Sequence, residues 1–186
     1  MKLELNEQQK MIRNMVREFA EKEIAPVAAE LDKTGEYPTK ILDKMAKLGL
    51  LGIIIPQQYG GAGLDTISYV TVVEEISRKC ASTGVITSVH NSLAAWPIMK
   101  YGTEEQKKKY LPILAKGEKI GAFAGTEPSA GSDLGAMKTA AVLKGHHYEI
   151  NGDKTFITSG PKAGIIIVFA VTDKNLGPKG LSAFIV

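Results

Sequence analysis

The sequence is poor in the residues that build covalent and metal frameworks, with one cysteine and three histidines in 186 positions. Cys80 alone excludes a disulfide framework and a cysteine-built zinc site, fits a reducing compartment, and is expected to be a small core residue. His146 and His147 adjoin at the start of a β-favouring run, so their rings point to opposite faces and cannot share one metal. They are expected in a surface turn. His90, beside Ser88 and Asn91 in a helical stretch, is expected to be a satisfied helix histidine rather than a base. Neither a metal cluster nor a nucleophilic triad can be assembled from this inventory.

Charge of one sign and long apolar runs are also missing. Twenty-three basic against 20 acidic residues leave a net charge of +3. They are scattered along the chain, unlike the concentrated basic face that nucleic acid demands. The densest basic run, "EEQKKKY", has helical spacing and fits a solvated face. The N-terminus "MKLELNEQQKMIRNMV" is interrupted by charge every few positions, and no run approaches a signal core or a membrane span. A cytoplasmic chain with neither nucleic-acid nor membrane partners is expected.

What is present, 44% hydrophobic and 23% charged residues, is enough for a sizeable core. From Asn6 to about Leu31, the residues Ile12, Met15, Val16 and Phe19 recur at helical spacing, and Asn6 with Gln9 forms a capping start. "EYPTKILDKMAKLGL" places Pro38 in a first turn and Gly49 just past a helix end. "LLGIIIPQQYGGAGLD" is an apolar run stopped by Pro56, a buried crossing followed by a glycine loop. Helices resume at Asp65, across "TGVITSVHNSLAAWPIMKYG", and at Thr103, where "TEEQ" is a second capping box.

After Gly117 the pattern changes. "KIGAFAGT", "KTAAVLKG", "HYEING", "KTFITSG", "GIIIVFAVT" and "GLSAFIV" are short β-favouring runs separated by glycine, asparagine and aspartate. Asn151-Gly152 supplies the strongest hairpin signal. The fold class is therefore α+β: an N-terminal all-α helical bundle over residues 1–117, then an incomplete antiparallel β-domain over 118–186. Its last strand reaches Val186 with no turn or cap after it.

The stretch "GTEPSAGSD" admits a surface turn, a phosphate cradle or a wall of a larger cofactor site. A dinucleotide fingerprint needs closely spaced glycines between a strand and a helix, whereas Gly125 and Gly131 lie in a β region. A P-loop needs a lysine and a hydroxyl residue where Ser132 and Asp133 stand. Hydroxyls at Thr126, Ser129 and Ser132, with glycines at 125, 131 and 135, could line a polar ligand or merely connect strands. Phe156 and Thr158, alternating with Ile157 along one expected strand, could pack a core or contact a flat heteroaromatic ring.

Together and in order, "GAFAGTEPSAGSDLGAMKTAA", "YEINGDKTFITSG" and "GLSAFIV" resemble the middle domain of the acyl-CoA dehydrogenases, which are FAD flavoproteins. "TSVHNSLAAWPIMKYGTEEQKKKYLPILAKGEKIGAFA" is most similar to their short-chain, butyryl-CoA branch. The resemblance covers the whole chain. It implies FAD contacts at Phe123, Gly125, Thr126, Gly131 and Ser132, and at Phe156, Ile157 and Thr158, with Ser132 also meeting the acyl-CoA substrate. Phe156 stands where many members carry tryptophan, and Ser129 where glycine is common. Phenylalanine keeps the stacking face and loses only the indole donor.

The activity so implied is oxidation of a short-chain acyl-CoA to its trans-2-enoyl-CoA, with electrons leaving to an electron-transferring flavoprotein. Full-length members form homotetramers. In most of the family the catalytic glutamate lies in a C-terminal helical domain beyond the stretch matched here. None of Glu74, Glu75, Glu104, Glu105, Glu118 or Glu127 matches it, so no catalytic residue is assigned. This chain is expected to be inactive alone. The alternative is a non-catalytic flavin- or CoA-binding module, or a partner subunit that retains the fold.

Overall fold

The computed structural model describes residues 4–186, which divide into a helical unit ending at Lys119 and a sheet unit from Ile120 to Val186. Helix α1, Glu7–Phe19, opens with the capping box expected from sequence: the Asn6 side chain accepts from the Gln9 backbone and the Gln9 side chain returns to the Asn6 N–H. A π-helical turn, Ala20–Ile24, links α1 to α2, Ala25–Thr34, which ends at Gly35 in the left-handed conformation. Val16, Ala20 and Ile24 lie on one fully buried stripe.

Helix α3 is Thr39–Lys47, with Pro38 at its cap and Gly49 at φ +73° just beyond. The run Leu50–Ile55 is buried apart from Ile54, as expected of a crossing. The glycine loop folds back along it, Ala62 N–H donating to Gly52, Gly63 to Ile55 and Leu64 to Ile53. At Gly61 a Cβ would fall 2.1 Å from the Ile55 carbonyl, so only glycine permits this approach.

Helix α4, Thr66–Ser77, is capped by Asp65 and packs on α5, Ala81–Ser88. Contact is close because α5 offers Gly84, where a Cβ would sit 2.0 Å from Ser77 Oγ. A second π-helical turn, Val89–Ala95, continues α5 into α6, Trp96–Tyr101. Helix α7, Glu104–Ala115, begins at the Thr103–Gln106 capping box. Cys80 is half-buried at the start of α5 and accepts a hydrogen bond from the Thr83 hydroxyl. Among the described residues no helix is long and apolar enough to cross a membrane.

The sheet unit has five strands: β1 Ile120–Ala124, β2 Ala140–Lys144, β3 His147–Asn151, β4 Ala163–Val171 and β5 Leu181–Ile185. The sheet is mixed, which corrects the antiparallel expectation. β4 runs parallel to β1 and meets β2 in parallel at Ala140 and Val171, while β2–β3 and β4–β5 are antiparallel. Short runs between polar turns reveal strand existence but not order. Here the intervening segment 125–162 carries the chain back, so that β4 starts alongside the start of β1.

Two local expectations also change. The tight turn is Gly145-His146, joining Lys144 to His147, with Gly145 at φ +62°. Glycine at the first central position is a recognised hairpin preference. Gly152 follows the end of β3 and serves close approach, since a Cβ there would lie 2.4 Å from Thr139 Oγ1. The expected strand over "KTFITSG" does not form, because Phe156 at φ +54° and Ser159 at φ +62° break the extended path.

Candidate functional site

The residues implied to hold a flavin all lie in the sheet unit, on two segments that leave the sheet. The first leaves the end of β1. Phe123 pairs with Ile167 in the ladder, and its ring lies 5.3 Å from that of Phe169. Gly125 follows, and a methyl there would stand 2.9 Å from the Phe123 ring, so glycine lets that ring lie against the backbone. Glu127 and Ala130 exchange backbone hydrogen bonds of 2.9 and 3.2 Å, closing a tight loop with Pro128 and Ser129 exposed at its tip. Gly131 and Ser132 are exposed beyond it, and Asp133 Oδ1 accepts from the Gly135 N–H at 3.0 Å.

The second segment, 154–158, is tied to the first by its backbone. The Thr155 N–H donates to the Thr126 carbonyl at 3.0 Å. Lys154 Nζ donates to the Gly125 carbonyl at 3.1 Å and to Glu127 Oε1 at 3.0 Å, and lies 3.3 Å from Met137 Sδ. Thus Thr126 and Thr155 are brought together, whereas no hydrogen bond joins Ser132 to 156–158 among the described residues. Phe156 and Thr158 do not share a strand face.

Phe156 is the unusual group. The residue is 91% exposed while its backbone occupies the left-handed region, a conformation costing a non-glycine residue about 1–2 kcal/mol. Bulky residues adopt it when surroundings enforce it, and such positions cluster at ligand sites. The Thr126, Ser132 and Thr158 hydroxyls have no hydrogen-bond partner among the described residues. An uncovered ring and unpartnered hydroxyls flanking a glycine loop fit a ligand that is both aromatic and polar, as FAD is. Among the described residues no group of three His, Cys, Asp or Glu could hold a metal ion.

Glu127 lies within the first segment and is held ionised by its partners. Burial would push its carboxyl up, but hydrogen bonds from Thr139, Lys138 and Lys154 prevail and hold it at about 2. Both oxygens are engaged: Oε2 accepts from the Lys138 N–H at 2.7 Å, and Oε1 from the Thr139 N–H at 2.9 Å and from Lys154. Sequence reasoning passed over Lys154. Its partner lies 27 residues away, and neither local pattern nor spacing links the two.

A helical unit followed by a mixed sheet defines a two-part class of protein. The models of the acyl-CoA dehydrogenase N-terminal domain and middle domain match residues 6–118 and 122–186, and the chain belongs to the acyl-CoA dehydrogenase family. Within it, the chain is 54% identical over 186 residues to the short-chain specific acyl-CoA dehydrogenase of Clostridium acetobutylicum, covering all of this chain and 49% of that relative. The butyryl-CoA dehydrogenase structure from Megasphaera elsdenii superposes with a TM-score of 0.95 at 40% identity, over 100% of this chain and 50% of its own. An acyl-CoA dehydrogenase from Bacillus anthracis, solved in complex with FAD, gives a TM-score of 0.89 at 38% identity, over 98% of this chain and 31% of its own. The chain thus spans about half the length of the curated relatives it matches.

Proposed function

We propose that this chain supplies the N-terminal helical part, residues 1–117, and one wall of the flavin and thioester site, within residues 118–186, of an FAD-dependent short-chain acyl-CoA dehydrogenase. The observation that carries this reading is the strained, uncovered Phe156 ring, tethered beside a loop whose hydroxyls lack partners. FAD, when bound, supplies acceptance of the hydride leaving the β-carbon of the acyl thioester. Phe123, Gly125, Thr126, Gly131 and Ser132 line it from one segment, and Phe156, Ile157 and Thr158 from the other. Ser132 also faces the acyl-CoA.

These residues orient and shield; none of them abstracts a proton. Glu127, with both oxygens already bonded, cannot take the α-proton without breaking those contacts. In this reading the base, as the family resemblance implies, is supplied from outside these 186 residues, and no turnover by the chain alone is expected. Losing a general base typically lowers a rate by about 10²–10⁴. In the complete enzyme, a homotetramer, an electron-transferring flavoprotein receives the electrons.

Titrating the chain into FAD and following flavin fluorescence, then adding butyryl-CoA, tests the reading. Saturable quenching without bleaching of the flavin absorbance is expected. Absence of saturable binding sinks the flavin assignment, and bleaching by this chain alone sinks the assignment of the base elsewhere.

A further inference from the structure

We propose that Lys154 and Glu127 form a positioning clasp that sets the register between the 125–132 loop and the 155–158 segment, and so holds Phe156 in its ligand-ready conformation. The proposal rests on the flavin reading above. The Lys154 side chain is 12% exposed and that of Glu127 3%, so the pair is withdrawn from water. Stability does not explain a buried ion pair, because well-packed apolar replacements are often no worse. What this pair offers is connectivity. One ammonium reaches the Gly125 carbonyl and Glu127 on the loop, and that carboxylate also takes the N–H groups of Lys138 and Thr139.

The consequence appears at the adjoining residues. Thr155 donates to the Thr126 carbonyl at 3.0 Å, and Phe156 then turns into the left-handed region with its ring in solvent. The ring itself makes too little contact to enforce this angle. Anchors at 154 and 155 on one side supply the constraint, and Ile157, whose carbonyl accepts the Gly160 N–H at 2.9 Å, supplies it on the other. Lys154 is thus a positioning residue, acting through Phe156 and the loop.

The test compares Lys154→Met, which keeps the stem and removes the ammonium, with Ile165→Ala in β4, a 4% exposed core position outside both segments. Each full 186-residue chain is measured for melting temperature, FAD affinity by flavin fluorescence, and Thr155 amide hydrogen exchange. Lys154→Met is expected to weaken FAD binding and speed Thr155 exchange by tenfold or more. Ile165→Ala is expected to lower the melting temperature at least as far while leaving both within twofold. Equal behaviour of the two variants, or an unchanged Thr155 amide in Lys154→Met, overturns the clasp.

The wild-type chain provides a check that does not depend on the variant folding. Its Thr155 amide is expected to exchange as slowly as that of Ile166, which pairs with Val186; exchange as fast as the exposed residues 131–136 also overturns the proposal. If wild type binds no FAD, the flavin reading falls, while the clasp stands or falls on Thr155 exchange.

Discussion

Replacing His90 with glutamine should flatten the acid sensitivity of the helical unit. His90 is fully buried, and its Nε2 lies 3.1 Å from the Leu114 carbonyl, to which it donates as N–H. Burial pulls its pKa down from 6.5 to about 4, overriding backbone hydrogen bonds at Leu114 and Leu51 that favour the charged form. The unfolded chain therefore binds a proton near pH 6.5 that the folded chain refuses until about pH 4. Stability rises with pH through that window, and its His90 contribution is complete above it. The full span corresponds to about 3 kcal/mol, and narrowing the comparison to the interval from pH 7.5 to 5 leaves about 2 kcal/mol. Trp96, the single tryptophan, lies in the same unit and reports its urea unfolding. The His90→Gln chain, which keeps an N–H donor, should be less stable at pH 7.5 but should lose about 2 kcal/mol less than wild type on acidification to pH 5. Parallel pH profiles for the two proteins would refute a neutral, desolvated His90.

Three further outcomes are expected. Phe156→Asn relieves a strained conformation that asparagine tolerates and sacrifices little packing, so urea unfolding should show stability unchanged or raised by up to about 1 kcal/mol, while FAD titration shows weaker binding. Gly84→Val drives a side chain into Ser77 and should cost about 1–3 kcal/mol in the same unfolding assay, separating α5 from α4. Glu127, held at about 2 against its usual 4.5, contributes stability that is present above pH 4.5 and lost towards pH 2; circular dichroism of the sheet unit should therefore show an acid transition in that range that Glu127→Ala lacks.

The helices were legible because their ends carry local chemistry. Asn6 with Gln9, Thr103 with Gln106, and Gly49 at a positive φ each determine a terminus within a few residues of sequence. Strand existence was legible for five runs from β-favouring residues between turn formers, but their order depends on pairings such as Phe123 with Ile167 across more than 40 positions. "KTFITSG" misled because threonine, phenylalanine and isoleucine favour extended chain, whereas tethers at Lys154 and Thr155 impose a turn at Phe156. Local propensity lost to tertiary constraint there. The site residues came from resemblance to a family, since composition left the glycine loop open between a plain connection and a ligand wall. The π-helical turns left no trace, because the apolar spacing of Val16, Ala20 and Ile24 suits an ordinary helix.

Those π-helical turns bear on which changes of chain length the protein can absorb. A π-helical turn takes up about one residue more than the α-helical turn it replaces, so removing one residue from it can restore an ordinary turn while leaving the helix after it close to its original bearing. A deletion within Val89–Ala95 would therefore keep Ile98, now 2% exposed, on its buried side and Trp96 close to its present bearing. The same deletion within α7 would instead rotate everything after it by about 100° and present the wrong side chains. Single-residue deletions at the less buried positions of 89–95 should accordingly be tolerated better, in helicity and melting temperature, than deletions scanned across α7.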